Sequence, residues 1–136
     1  MSTPNDAPKP LVDQSVLDRL RDELEEEDGY GRVFVGNFIG FLPERLGRLR
    51  LALTTGDLEG SMDAVLSLKT SSQMVGAERL AGLALDLETE IRAEARHADL
   101  AVALPRLAAE FLRPITQCSR QTTHRLQAQC CPGAKR

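Results

Sequence analysis

The densest set of chemically capable side chains is the stretch Val65-Leu66-Ser67-Leu68-Lys69-Thr70-Ser71-Ser72-Gln73-Met74-Val75-Gly76-Ala77, where four hydroxyls surround one ammonium group. A hydroxyl attacks only when a base activates it, and no histidine falls in the stretch. Ser67 and Thr70 could receive a phosphate from a Ser/Thr kinase, which would add negative charge there. Ser71 and Ser72 are expected to bond their own helix backbone or a neighbouring helix. The two histidines of the chain are His97, which reads as a solvated or capping residue at a helix boundary, and His124, within the last helix. Neither has Cys, Asp or Glu at a convincing metal-ligand spacing. The chain carries no Gly-rich phosphate loop, Ser-His-Asp set or paired-carboxylate arrangement. An independent enzyme is not expected, and the sequence calls for no cofactor and no metal.

Of the three cysteines, Cys118, Cys130 and Cys131, two are adjacent. That arrangement suits neither a disulfide framework nor a zinc site, so they read as free thiols of a reducing compartment. Lys and Arg number 17 against 20 Asp and Glu, a net charge of -3 with no basic stripe, which argues against nucleic acid as a partner. No apolar run approaches the roughly 20 residues that span a bilayer, and the polar start lacks the basic and apolar regions of a signal peptide. A cytoplasmic protein with no membrane partner is expected.

These side chains need a scaffold, and its pattern is helical. The chain fits one domain whose core, with 4% aromatic residues, must come from Leu, Val, Ile, Ala and four Phe. Residues 1–10 hold three of the seven prolines and read as a disordered leader. Asp13 is a plausible N-cap for a first helix with Val16, Leu17, Leu20 and Leu24 at helical spacing, ending in Glu25-Glu26-Glu27-Asp28 and Gly29. From about Gly31 to Thr55, Phe34, Phe38, Leu42, Leu46, Leu49 and Leu53 share one face, with Arg45, Arg48 and Arg50 off it. Pro43 should kink this helix. Gly56-Asp57 marks a turn.

A third helix is predicted from about Leu58 to Met74, with Leu58, Met62, Val65, Leu68, Ser72 and Val75 inward and Gly76 closing it. That register leaves Leu66 and Thr70 together on the outer face, so Leu66 should be exposed. The fourth helix, to about Ala95, turns Ala77, Leu80, Ala84, Leu87 and Ile91 inward. His97 and Asp99 mark the next break. The last helix spans roughly Leu104 to Gln127, with Pro105 in its first turn, a bend at Pro114, and Leu107, Phe111, Ile115, Cys118 and Leu126 in the core. Residues 128–136 read as a loose tail. The predicted fold is all-α, an up-down four-helix bundle over residues 11–127 with a short additional N-terminal helix.

The Val65–Ala77 stretch resembles the signature of the histidine-containing phosphotransfer (HPt) family, usually Ala-His-x-Leu-Lys-Gly-Ser-Ser-x-x-Leu-Gly-Ala. Leu68, Lys69, Ser71, Ser72, Gly76 and Ala77 match by identity, and Val65 and Val75 by character. Gly56-Asp57 before it, Leu87-Glu88 on the next helix and the helix lengths agree as well. In that family an exposed histidine takes a phosphoryl group from one receiver-domain aspartate and passes it to another. Here Leu66 occupies the phosphoacceptor position and has no nucleophilic atom. The resemblance implies that Lys69 would help neutralise a phosphoryl group, and it puts Thr70 where a glycine keeps the surface low. Glu88, without an imidazole to orient, reads as a surface charge.

The resemblance therefore implies a pseudo-HPt protein of a two-component phosphorelay. It would bind a response-regulator receiver domain or a histidine kinase without accepting phosphate, through Leu66, Lys69, Thr70, Gln73 and Met74. Two alternatives stand beside it: an active phosphorelay intermediate that uses His97 or His124, and a self-associating helical scaffold outside signalling. A monomer or weak homodimer is expected.

Overall fold

The three- and four-residue leucine spacing is realised as helix throughout. The computed structural model describes residues 9–24, 30–96 and 99–130, and every element among them is helical. In chain order these are α1 (Gln14–Leu24), α2 (Tyr30–Thr54), α3 (Leu58–Met74), α4 (Glu78–Glu94) and α5 (Leu100–Cys130). The leader up to residue 8, the acidic run Glu25-Glu26-Glu27-Asp28 with Gly29, His97 and residues 131–136 lie outside the described residues.

Connections of a few residues force α2 to α5 to run alternately up and down. α3 packs on α2 and α4, α5 packs on the same two helices from the other side, and α1 leans on α2. The result is an all-α four-helix bundle with a short leading helix. Its core is aliphatic: Leu49, Leu53, Val65, Leu68, Leu80, Leu87, Ile91, Leu104, Ile115 and Leu126 are fully buried. Each such side chain contributes on the order of 1.5–3 kcal/mol by leaving water. Cys118 is buried among them, and burial pushes its thiol up, against a weaker opposing effect of the Thr122 hydroxyl.

Aspartates set three of the helix starts. Asp13 Oδ1 accepts from Ser15 N at 3.0 Å and from Ser15 Oγ at 2.7 Å, which holds its carboxyl below the usual range. Asp57, in extended conformation, caps α3 through Gly60 N at 2.9 Å. Asp99 Oδ1 accepts from Ala101 N at 3.1 Å, and its carbonyl takes Val102 and Ala103. This last cap starts α5 at Leu100 rather than Leu104, so Pro105 falls in the second turn instead of the first. At its other end α5 continues through Cys130.

The prolines do not break their helices. Pro43 and Pro114 are both exposed, on the side where the carbonyl each frees can meet water. Buried neighbours Leu42, Leu112 and Ile115 hold the turns on either side, against a cost of about 3 kcal/mol for an interior proline.

The chain ahead of α1 is strapped to the bundle. Lys9, placed by sequence in the leader, offers its carbonyl to Arg79 Nε at 3.0 Å, and Leu11 and Val12 are buried. Asp13 N donates to Gly76 O at 2.7 Å. Gly76 has φ +75°, and a Cβ there would come within 2.9 Å of both Asp13 O and Val16 Cβ. Glycine is required both by the left-handed turn after α3 and by the approach of α1.

Candidate functional site

The site helix α3 owes its position to its ends and its buried stripe. Asp57 anchors the start, Gly76 turns the chain at the finish, and Ser61, Ala64, Val65, Leu68 and Ser72 face the core. A helix so buried on one side presents the other to solvent. Thr70, Gln73 and Met74 are exposed there, Met74 by 50%.

Leu66 departs from expectation. It is half-buried and packed against the core cluster rather than exposed. Its place next to Val65 and three residues before Lys69, whose side chain reaches α4, puts it at the border of the buried stripe. An isobutyl group at such a border gains by folding back onto apolar neighbours.

Lys69 is engaged with the protein itself. Its Nζ lies 2.6 Å from Glu88 Oε1 on α4, with the two side chains 21% and 10% exposed. The other carboxylate oxygen, Oε2, receives Arg92 Nε at 3.0 Å and Arg92 Nη2 at 2.9 Å. The hydrogen bond from Lys69 holds the Glu88 carboxyl below its ordinary value; desolvation opposes this and Arg92 adds to it. Glu88 is thus no surface charge, as the sequence suggested. It is a buried carboxylate between two cations, because α3 and α4 pack closely enough to take it out of water.

On the side of α3 toward α2, the exposed Ser67 Oγ accepts from Arg45 Nε at 3.3 Å. The Arg45 guanidinium stands 5.9 Å from the centre of the Phe41 ring, which is 53% exposed. An open groove lined by Arg45, Arg48, Leu51, Asp63 and Ser67 runs along this edge. Spacing alone marked Arg45 only as lying off the apolar stripe and passed over Phe41. An aromatic residue off the stripe of an amphipathic helix was the available signal. Ser71 Oγ bonds Ser67 O at 2.7 Å as expected, whereas the buried Ser72 Oγ finds no partner among the described residues.

The structure brings Leu66, Lys69, Thr70, Gln73 and Met74 onto one helix. His124 is not among their neighbours: it is exposed on α5, beside Leu11, Arg79 and Arg125. Among the described residues no three His, Cys, Asp or Glu side chains form a group able to hold a metal ion. None of these helices is long and apolar enough to cross a membrane.

Fold and site together define an all-α four-helix bundle with its signature stretch on α3, the second helix of the bundle. The sequence model of the Hpt domain family matches residues 33–129, from early α2 almost to the end of α5. The chain belongs to the Hpt domain family, which places it in phosphotransfer signalling, where such domains interact with receiver domains and kinases. The matched span leaves α1 outside it as an addition. No curated protein and no solved structure matches the chain.

Proposed function

We propose that this chain is a pseudo-HPt module that binds a receiver domain or a histidine kinase without carrying phosphate. The reading rests on Leu66, an all-carbon side chain where the resemblance expects the imidazole that forms the phosphoramidate. Lys69 supports it, since its ammonium is neutralised by Glu88 at 2.6 Å instead of standing free for an incoming phosphoryl group. Thr70, Gln73 and Met74 supply an exposed face of mixed character, and Leu66 adds apolar area at its edge. Such a face docks a partner through packing and hydrogen bonds and performs no group transfer.

The test mixes the full chain with receiver domains phosphorylated with labelled phosphate. Complex formation without label transfer is expected. Acid-labile phosphate on this chain overturns the reading, and loss of that label in His124→Ala or His97→Ala would identify an active relay residue instead. Loss of receiver binding in Thr70→Asp and Met74→Asp checks the face itself.

A further inference from the structure

The cations of this chain are unevenly placed. In α5, Arg106, Arg113, Arg120 and Arg125 stand against Glu110 alone, although the chain as a whole has a net charge of -3. Arg106 is neutralised by Glu94 at 2.7 Å. Arg113 and Arg120, with Arg50 of α2, have no ion-pair partner among the described residues, and all three line one solvent-open groove of about 690 Å³ between α2 and α5. Among the described residues no carboxylate lines it. Its floor is apolar, formed by Ala108 and Leu112, which are 6% and 8% exposed. Thr116 and Gln117 add hydrogen-bonding groups.

We propose that this groove is a second docking surface, which takes an acidic amphipathic segment of a partner protein. Small-molecule sites enclose most of their ligand, and this groove is too open to do so. Arg113 and Arg120 are two helical turns apart, about 10.5 Å of rise, which matches the repeat of carboxylates on one face of an opposing helix. Ala108 and Leu112 form the apolar floor beside these arginines, so the occupant needs an apolar side chain next to its acids. That is the helix-in-groove mode with charge complementarity at the rim. Three arginines on a net-negative chain fall short of the basic face that a phosphate backbone requires.

α3 and α5 occupy opposite corners of the bundle, each packed on α2 and α4. The groove therefore lies away from the Leu66 face, and a partner on one leaves the other free. The proposal stands or falls independently of what α3 binds.

The experiment uses the full chain and a short fluorescein-labelled peptide built as an amphipathic helix, with leucines on one face flanked by glutamates, read by fluorescence anisotropy. Binding is expected, weakened at least about tenfold by Arg113→Glu with Arg120→Glu, unchanged by Arg96→Glu, and absent for a peptide with lysines in place of the glutamates. Arg113→Gln with Arg120→Gln removes the charge more gently and gives the same readout if circular dichroism finds the reversal variant unfolded. Failure of the native chain to bind, or equal weakening by Arg96→Glu, overturns the proposal. So does a single-stranded oligonucleotide that displaces the peptide in an Arg113-dependent way, which would assign the groove to nucleic acid.

Discussion

Lys69 Nζ lies 2.6 Å from Glu88 Oε1, a hydrogen-bonded ion pair that ties the site helix α3 to α4 across 19 positions of sequence. Glu88 also carries Arg92, so one mostly buried carboxylate bridges two cations. A carboxylate with both oxygens engaged is costly to replace, because its partners are left without it in a partly dry setting.

Glu88→Gln should lower stability by about 1–3 kcal/mol, since Lys69 loses the one ion-pair partner it has among the described residues while staying mostly covered. Lys69→Met should cost less, because Arg92 still serves the carboxylate. Urea unfolding of both variants checks the order, and a Glu88→Gln loss smaller than that of Lys69→Met would contradict the central place given to Glu88.

Acid should act on the same pair. The Glu88 pKa is lowered in the folded chain, so its stabilisation is fully present above the unfolded carboxylate value, about 4.3, and is lost as pH falls through the lower folded value. Melting temperature should therefore drop below about pH 4 more steeply in the native chain than in Glu88→Gln. Parallel curves for the two proteins would refute this origin.

Leu66→His with Thr70→Gly should restore an acceptor on a compatible scaffold. The expected outcome is acid-labile phosphate on the variant after incubation with a phosphorylated receiver domain. Adding Glu88→Gln should release Lys69 toward the phosphoryl group and raise the yield further. Absence of label with every receiver tested would mean that the docking face has diverged along with the nucleophile.

Gly76→Ala should destabilise the chain by about 1–3 kcal/mol. The residue has φ +75°, and its new Cβ would meet Asp13 O and Val16 Cβ at 2.9 Å, so strain and displacement of α1 add together. Gly36→Ala, on an exposed helical turn with nothing within 4 Å of the added Cβ, should be neutral or stabilising. Thermal melts of the two variants shifting alike would refute the argument.

Much of the bundle was legible along the chain because helical burial is periodic and local. Leu42, Leu49 and Leu53 in α2, or Leu80, Leu87 and Ile91 in α4, recur at spacings of seven and four residues and end up buried together. Helix α3 was readable to its last residue, since Asp57 and Gly76 act on their immediate neighbours. The start of α5 is set by the cap Asp99 rather than by Pro105, and buried Leu112 and Ile115 keep the turns around Pro114 within one continuous helix.

The sequence by itself determined the helices, the family signature and the placement of Leu66 in it, because each depends on residue identity at fixed short spacing. Only the tertiary structure decided that Leu66 lies half-buried, that Lys69 is already neutralised, that Glu88 is a buried bridge, and that Arg45 reaches Ser67. These depend on which helices become neighbours and how closely they approach. Burial, charge pairing and desolvation are properties of that approach, and no spacing along a single helix encodes it.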